Sequence, residues 1–175
     1  MGFLKNIHDQ LFTVGRISRH ILSDATHTRT LGLDELPERH RLGQLQPRVG
    51  FVLAMYNSLA AIAREHSELS ADELLGLMLW TRFRTPSPTA VASPEALVAE
   101  TLAWMRRDIP VWPSLDLKQK FVRTCAYALA VEERLLHPEM PASDHDSLRD
   151  IAVAEGYLLA KTVIDEVAWN LPHRG

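Results

Sequence analysis

The stretch His66-Ser67-Glu68-Leu69-Ser70-Ala71-Asp72-Glu73-Leu74-Leu75 decides the fold. It reads as a polar turn running into a helix start. Before it, Val49, Val52, Leu53, Tyr56, Leu59, Ala60 and Ala63 recur at spacings of three and four, the apolar face of an amphipathic helix that begins near Arg48. Ser70 and Glu73 then have capping-box spacing. The hydroxyl accepts from a first-turn amide, and the carboxylate reaches back to the cap. Leu74, Leu75, Leu77, Met78 and Trp80 continue the next helix.

The same sentence is written again further along. Tyr56 precedes His66 by ten residues, and Tyr127 precedes His137 by ten, 71 residues on. His137-Pro138-Glu139-Met140 parallels His66-Ser67-Glu68-Leu69. Ser143, with Asp144 and Asp146 behind it, takes the part of the capping Ser. Self-similarity at a fixed offset predicts two related helix–turn–helix units.

Periodicity elsewhere is also helical. Leu4, Ile7, Leu11, Val14, Ile17 and Ile21 make one stripe over residues 3–22, with Lys5, His8, Arg16, Arg19 and His20 off it. Residues 23–47 hold Gly32, Pro37, Gly43 and Pro47 and read as a connector. Residues 85–93, rich in Pro, Ser and Thr, read as a stiff linker. Ser93-Pro94-Glu95 starts a helix that runs to about Asp108, with Pro at its first position. Ile109 to Pro113 is a break, and Ser114 or Asp116 caps a helix lasting to about Leu136. A last helix opens at Ser143 and runs past Gly156, a short break or a tolerated weak point, toward Trp169. No run alternates with period two. The expectation is a single all-α domain, a bundle of six or seven helices without strands.

Composition narrows the function. The chain has 175 residues, 46% hydrophobic and 23% charged, with a net charge of −3. That balance argues against nucleic-acid binding, which needs a clustered basic field. A single cysteine, Cys125, excludes an internal disulfide and fits a reducing compartment. No stretch approaches the roughly 18 apolar residues of a membrane span. The start lacks a signal-peptide core, and Asn6 stands where a myristoylation motif wants Ser or Thr. A cytoplasmic location is the expectation.

In layout, the two units, over Val49 to Phe83 and Lys118 to Glu155, resemble the tellurite-resistance TerB-like proteins. An opening of Met-Gly-Phe-Leu-Lys also resembles some members. The resemblance implies an all-helical fold and a non-catalytic module that binds protein or a divalent metal in a bacterial stress or envelope response. The family's turns usually carry an Asp-Gly pair. Here those positions are His66-Ser67 and His137-Pro138, while the helix-start acids Glu73 and Asp146 remain.

His66, Glu68, Glu73, His137, Glu139, Asp144 and Asp146 are therefore the candidate metal ligands. Imidazole with carboxylate suits zinc, iron, nickel or manganese. The competing reading is capping: a His near a helix C-terminus and acids in a first turn both complement the helix dipole. Other groups carry less. Glu133 and His137 share a helix face, Cys125 sits among apolar residues, and Arg106-Arg107 lie near Trp104 and Trp112. The first helix suits self-packing or self-association better than a membrane surface, because its basic face is sparse. The alternative function is a small helical enzyme with a site lined by His and carboxylates.

Overall fold

Ile17 and Ile21 bury one stripe of the first helix, α1 (Gly2–Leu22), against α3 (Glu38–Glu65). The computed structural model describes residues 2–84, 93–136 and 142–171. Between those two helices lies a short helix, α2 (Ala25–Thr30), capped by the Asp24 carboxylate, which accepts from the amides of Thr26 and His27. Then come α4 (Ala71–Phe83), α5 (Pro94–Asp108), a 3-10 turn over Trp112–Ser114, α6 (Leu117–Leu136) and α7 (Ala142–Glu166). The described residues hold seven α-helices and no strand, as the periodicity predicts.

The helix α3 is the hub of the N-terminal half. It carries α1 on one side and α4 and α7 on others. The helix α6 is the hub of the C-terminal half, with α7 as its most extensive neighbour and α4 and α5 behind it. Val49, Val52, Leu59, Leu74, Met78, Phe121, Cys125, Leu159 and Val163 are fully buried in one continuous apolar cluster. Trp169 follows the end of α7 and packs on Tyr56 and Phe121, with ring centroids 5.3 and 5.5 Å away. The Tyr56 hydroxyl donates to the Asn170 side chain at 2.6 Å, fixing this tail to α3.

Three sequence expectations change. Residues 23–47 are not one connector: α2 occupies part of them, and α3 begins at Glu38, ten residues before Arg48. Pro47 lies inside α3. Proline removes one helical N–H, but the carbonyl it leaves without a donor belongs to Gly43, which is exposed to water. Leu45 and Val49, on either side of Pro47, are fully buried, so packing carries the helix through it. Second, α7 begins at Ala142, which places Ser143 inside the helix. Third, Gly156 does not break α7. A Cβ there would stand 3.1 Å from the Ala126 Cα and 3.3 Å from its carbonyl oxygen, so Gly156 marks a close approach to α6.

The caps behave as their sequences ask. Ser70 and Glu73 form the reciprocal box, Ser93 accepts from the Ala96 amide, and Pro94 takes the first turn of α5. At α6 the cap is Asp116, which accepts from the Gln119 amide at 2.9 Å while Gln119 accepts back at 3.1 Å. Ser114 instead donates to the Val111 carbonyl and closes the preceding turn.

Candidate functional site

The first turn is built by the end of α3. His66 leaves the helix at φ −129°, with its amide still donating to the Ile62 carbonyl at 2.9 Å. Leu69 donates back to the His66 carbonyl and tightens the turn. This brings the His66 Nδ1 to 3.5 Å from Glu68 Oε1, with both side chains largely open to water. Glu73 faces a different task. Its carboxylate accepts from the Ser70 amide at 3.3 Å and from the Ser70 hydroxyl at 2.9 Å. Of the first unit's three candidate ligands, the fold thus pairs His66 with Glu68 and commits Glu73 to the cap.

His137 and Glu139 lie outside the described residues. Asp144 and Asp146 are in the opening residues of α7, with side chains outside the description. The helix boundaries on either side can still be compared. The helix before each turn ends at Glu65 and Leu136, and the helix after it starts at Ala71 and Ala142, so both boundaries repeat at the 71-residue offset. Among the described residues, no group of three or more His, Cys, Asp or Glu gathers as a metal-ligand set would.

A second polar centre forms where α4 begins. Asp72 Oδ1 accepts from the Trp112 indole at 3.2 Å and from the Lys120 ammonium at 3.1 Å. The Lys120 side chain is only 4% exposed and lies 5.4 Å from the Trp112 ring centroid, a cation–π contact in a dry setting. A buried ammonium needs such an anion, because desolvation without a partner is costly. One sequence signal points to it. Lys120 sits at an inward position of α6, three residues after buried Leu117 and four before buried Thr124. A cavity of about 30 Å³ adjoins the centre, lined by Asp72, Leu75, Leu102, Met105, Arg106 and Trp112. It has room for about two waters, far below the roughly 300 Å³ of a ligand pocket.

A third polar centre joins α5, α6 and α7. Tyr127 donates to Asp108 Oδ2 at 3.0 Å, Arg107 donates to Oδ1 at 3.0 Å, and Arg149 stands 4.0 Å from Oδ2. Burial opposes ionisation of Asp108, but the hydrogen bonds from Arg107 and Tyr127 and the two guanidinium charges outweigh it, so its pKa falls below the usual value. Burial, then the hydrogen bond to Asp108 and that residue's charge, push the Tyr127 hydroxyl up to about 12. Glu132 is held by Arg82 through two hydrogen bonds of 2.7 and 3.1 Å, and Arg82 also covers the Phe51 ring. Cys125 is wholly buried, and burial drives its thiol well above the ordinary value. That leaves it as a small hydrophobe, as the sequence suggests.

The outer surface of α4 is different in kind. Leu77 and Trp80 lie one turn apart with about a third of each side exposed, 38% and 36%. Val111, in the turn after α5, is 61% exposed. No described helix is long and apolar enough to cross a membrane. No family model, no curated protein and no solved structure matches this chain.

Proposed function

We propose that this chain is a non-catalytic helical module for binding protein, serving in a bacterial stress response as its TerB-like layout implies. The outer face of α4 is its contact surface, and the His66–Glu68 turn is an accessory contact for a divalent metal. The observation that carries this reading is the exposed Leu77–Trp80 pair. Partly exposed Trp is the side chain most often found at the energetic centre of an interface. Charged groups near the two ends of α4 already have structural partners: Asp72 ties Lys120 and Trp112, and Arg82 ties Glu132.

Two measurements test the two halves. A photo-crosslinking residue at position 80 is expected to capture protein in cells, whereas the same residue at exposed position 161 is not. Equal yields from both positions, or none from 80, would sink the protein-binding half. For the metal half, titration calorimetry of the full chain with several divalent ions is expected to give heat that His66→Ala with His137→Ala abolishes. That affinity is expected to fall in acid, because a protonated ligand has no lone pair for the metal. Silence for every ion removes the metal contact.

A further inference from the structure

The α4–α5 surface carries a charge pattern that says what kind of partner it fits. Trp80 of α4 donates to Glu95 at the start of α5 at 3.5 Å. Asp72 and Leu75 at the start of α4 share a cavity with Leu102, Met105 and Arg106 at the end of α5. The two helices therefore run antiparallel. Half-buried Val98 and Leu102 of α5 and exposed Trp80 of α4 are the apolar side chains of this surface.

Opposite charges stand at the two ends of α5 on this surface. Glu95 has the 3.5 Å contact with Trp80 as its polar partner. Arg106, an exposed guanidinium, has no ion pair among the described residues. They are eleven positions apart on one helix, about 16 Å at 1.5 Å per residue, and within about 20° of the same face. Between them on that face lie exposed Ala99 and half-buried Leu102, neither of them charged.

A surface with an acid at one end, a base at the other and apolar side chains between is complementary to itself when turned end for end. A twofold axis midway between them, between Ala99 and Leu102, sets each Glu95 against the other copy's Arg106, and both pairs form at once. It also runs the two α5 dipoles antiparallel. We infer that a second copy of this chain docks here, α5 against α5, with the Glu95–Arg106 pairs at both ends and Trp80 of each copy against the rim. This rests on the protein-binding reading of the α4 face and names its partner.

Sedimentation velocity of the full chain is expected to show a dimer in exchange with monomer. Glu95→Arg alone and Arg106→Glu alone each place like charges at both ends, and each is expected to shift the chain to monomer. The double variant reverses every pair and is expected to restore the dimer, a result that misfolding of either single variant cannot imitate. Ala99→Arg, on an exposed helix position, gives a second disruption, with circular dichroism to confirm that helix content is kept. A wild type that stays monomeric at every concentration overturns the inference, as does a dimer indifferent to Glu95→Arg. The crosslink from position 80 separates the two readings. A product of twice the chain mass supports the dimer. A product of another mass overturns the dimer but leaves the protein-binding reading standing, and no product removes both.

Discussion

The helix pairs α3–α4 and α6–α7 are separated by segments of equal length but are held in different ways. In the first, α3 and α4 meet through a turn closed by local chemistry: the His66 carbonyl accepts from Leu69, and Ser70 and Glu73 cap each other. The second helix of that unit has 13 residues. In the second unit, α6 and α7 have 20 and 25 residues and form the most extensive helix pair in the molecule. Their fit is tight at a missing side chain, because a Cβ on Gly156 would stand only 3.1 Å from the α6 backbone at Ala126. A short helix needs a strong start, whereas a long one can be positioned by the shape of its partner.

The sharpest way to break this contrast is Gly156→Val. A branched side chain would press on the Ala126 backbone, which cannot move aside as a side-chain tip would. A loss of about 3 kcal/mol is expected in chemical denaturation, the upper range for overpacking. A neutral result would mean that α6 and α7 can slide apart freely.

Asp72 binds the first unit to the second, so removing it is the next largest effect. Asp72→Ala is expected to cost about 2 kcal/mol, because it strands the Lys120 ammonium in an apolar setting. Lys120→Met is expected to cost less, since it removes the buried charge and keeps much of its volume. Melting curves that rank the two the other way would show that the ammonium reaches water.

Within the first unit alone, Ser70→Ala is expected to cost about 1 kcal/mol, the usual value of an N-cap. Hydrogen exchange is expected to quicken mainly in the first turn of α4. Protection lost equally in α7 would mean that the two units do not differ as described.

The last effect appears only in alkali and belongs to the second unit. The fold favours the neutral Tyr127 hydroxyl, whose pKa rises from 10.0 to about 12. Its contribution to stability is therefore complete below pH 10 and lost as pH rises toward 12. Tyr127→Phe is expected to remove the tyrosinate absorbance step at about pH 12 and that last decline in stability. Titration of the same step nearer pH 10 in the folded wild type would contradict the burial of this hydroxyl.

Local signals were legible where a residue acts on its own neighbours. Ser70 with Glu73, Ser93 with Pro94, and the three-and-four spacing in α3 and α6 each concern groups within one or two turns. Pro47 misled for the complementary reason: its local penalty is real, but burial of Leu45 and Val49 overrides it. The candidate site was legible only in part. His66 and Glu68 are two residues apart and do meet, whereas Asp72 and Lys120 are 48 residues apart and no spacing rule joins them.

The sequence by itself determined the helical class, the caps at Ser70 and Ser93 and the position of the first turn, because helix periodicity and capping are short-range physics. Only the tertiary structure decided that Pro47 sits inside a helix, that Gly156 is a contact point and that Lys120 is buried beside Asp72. Each of those depends on which surfaces meet. Packing and desolvation act between residues that are distant in the chain and adjacent only after folding.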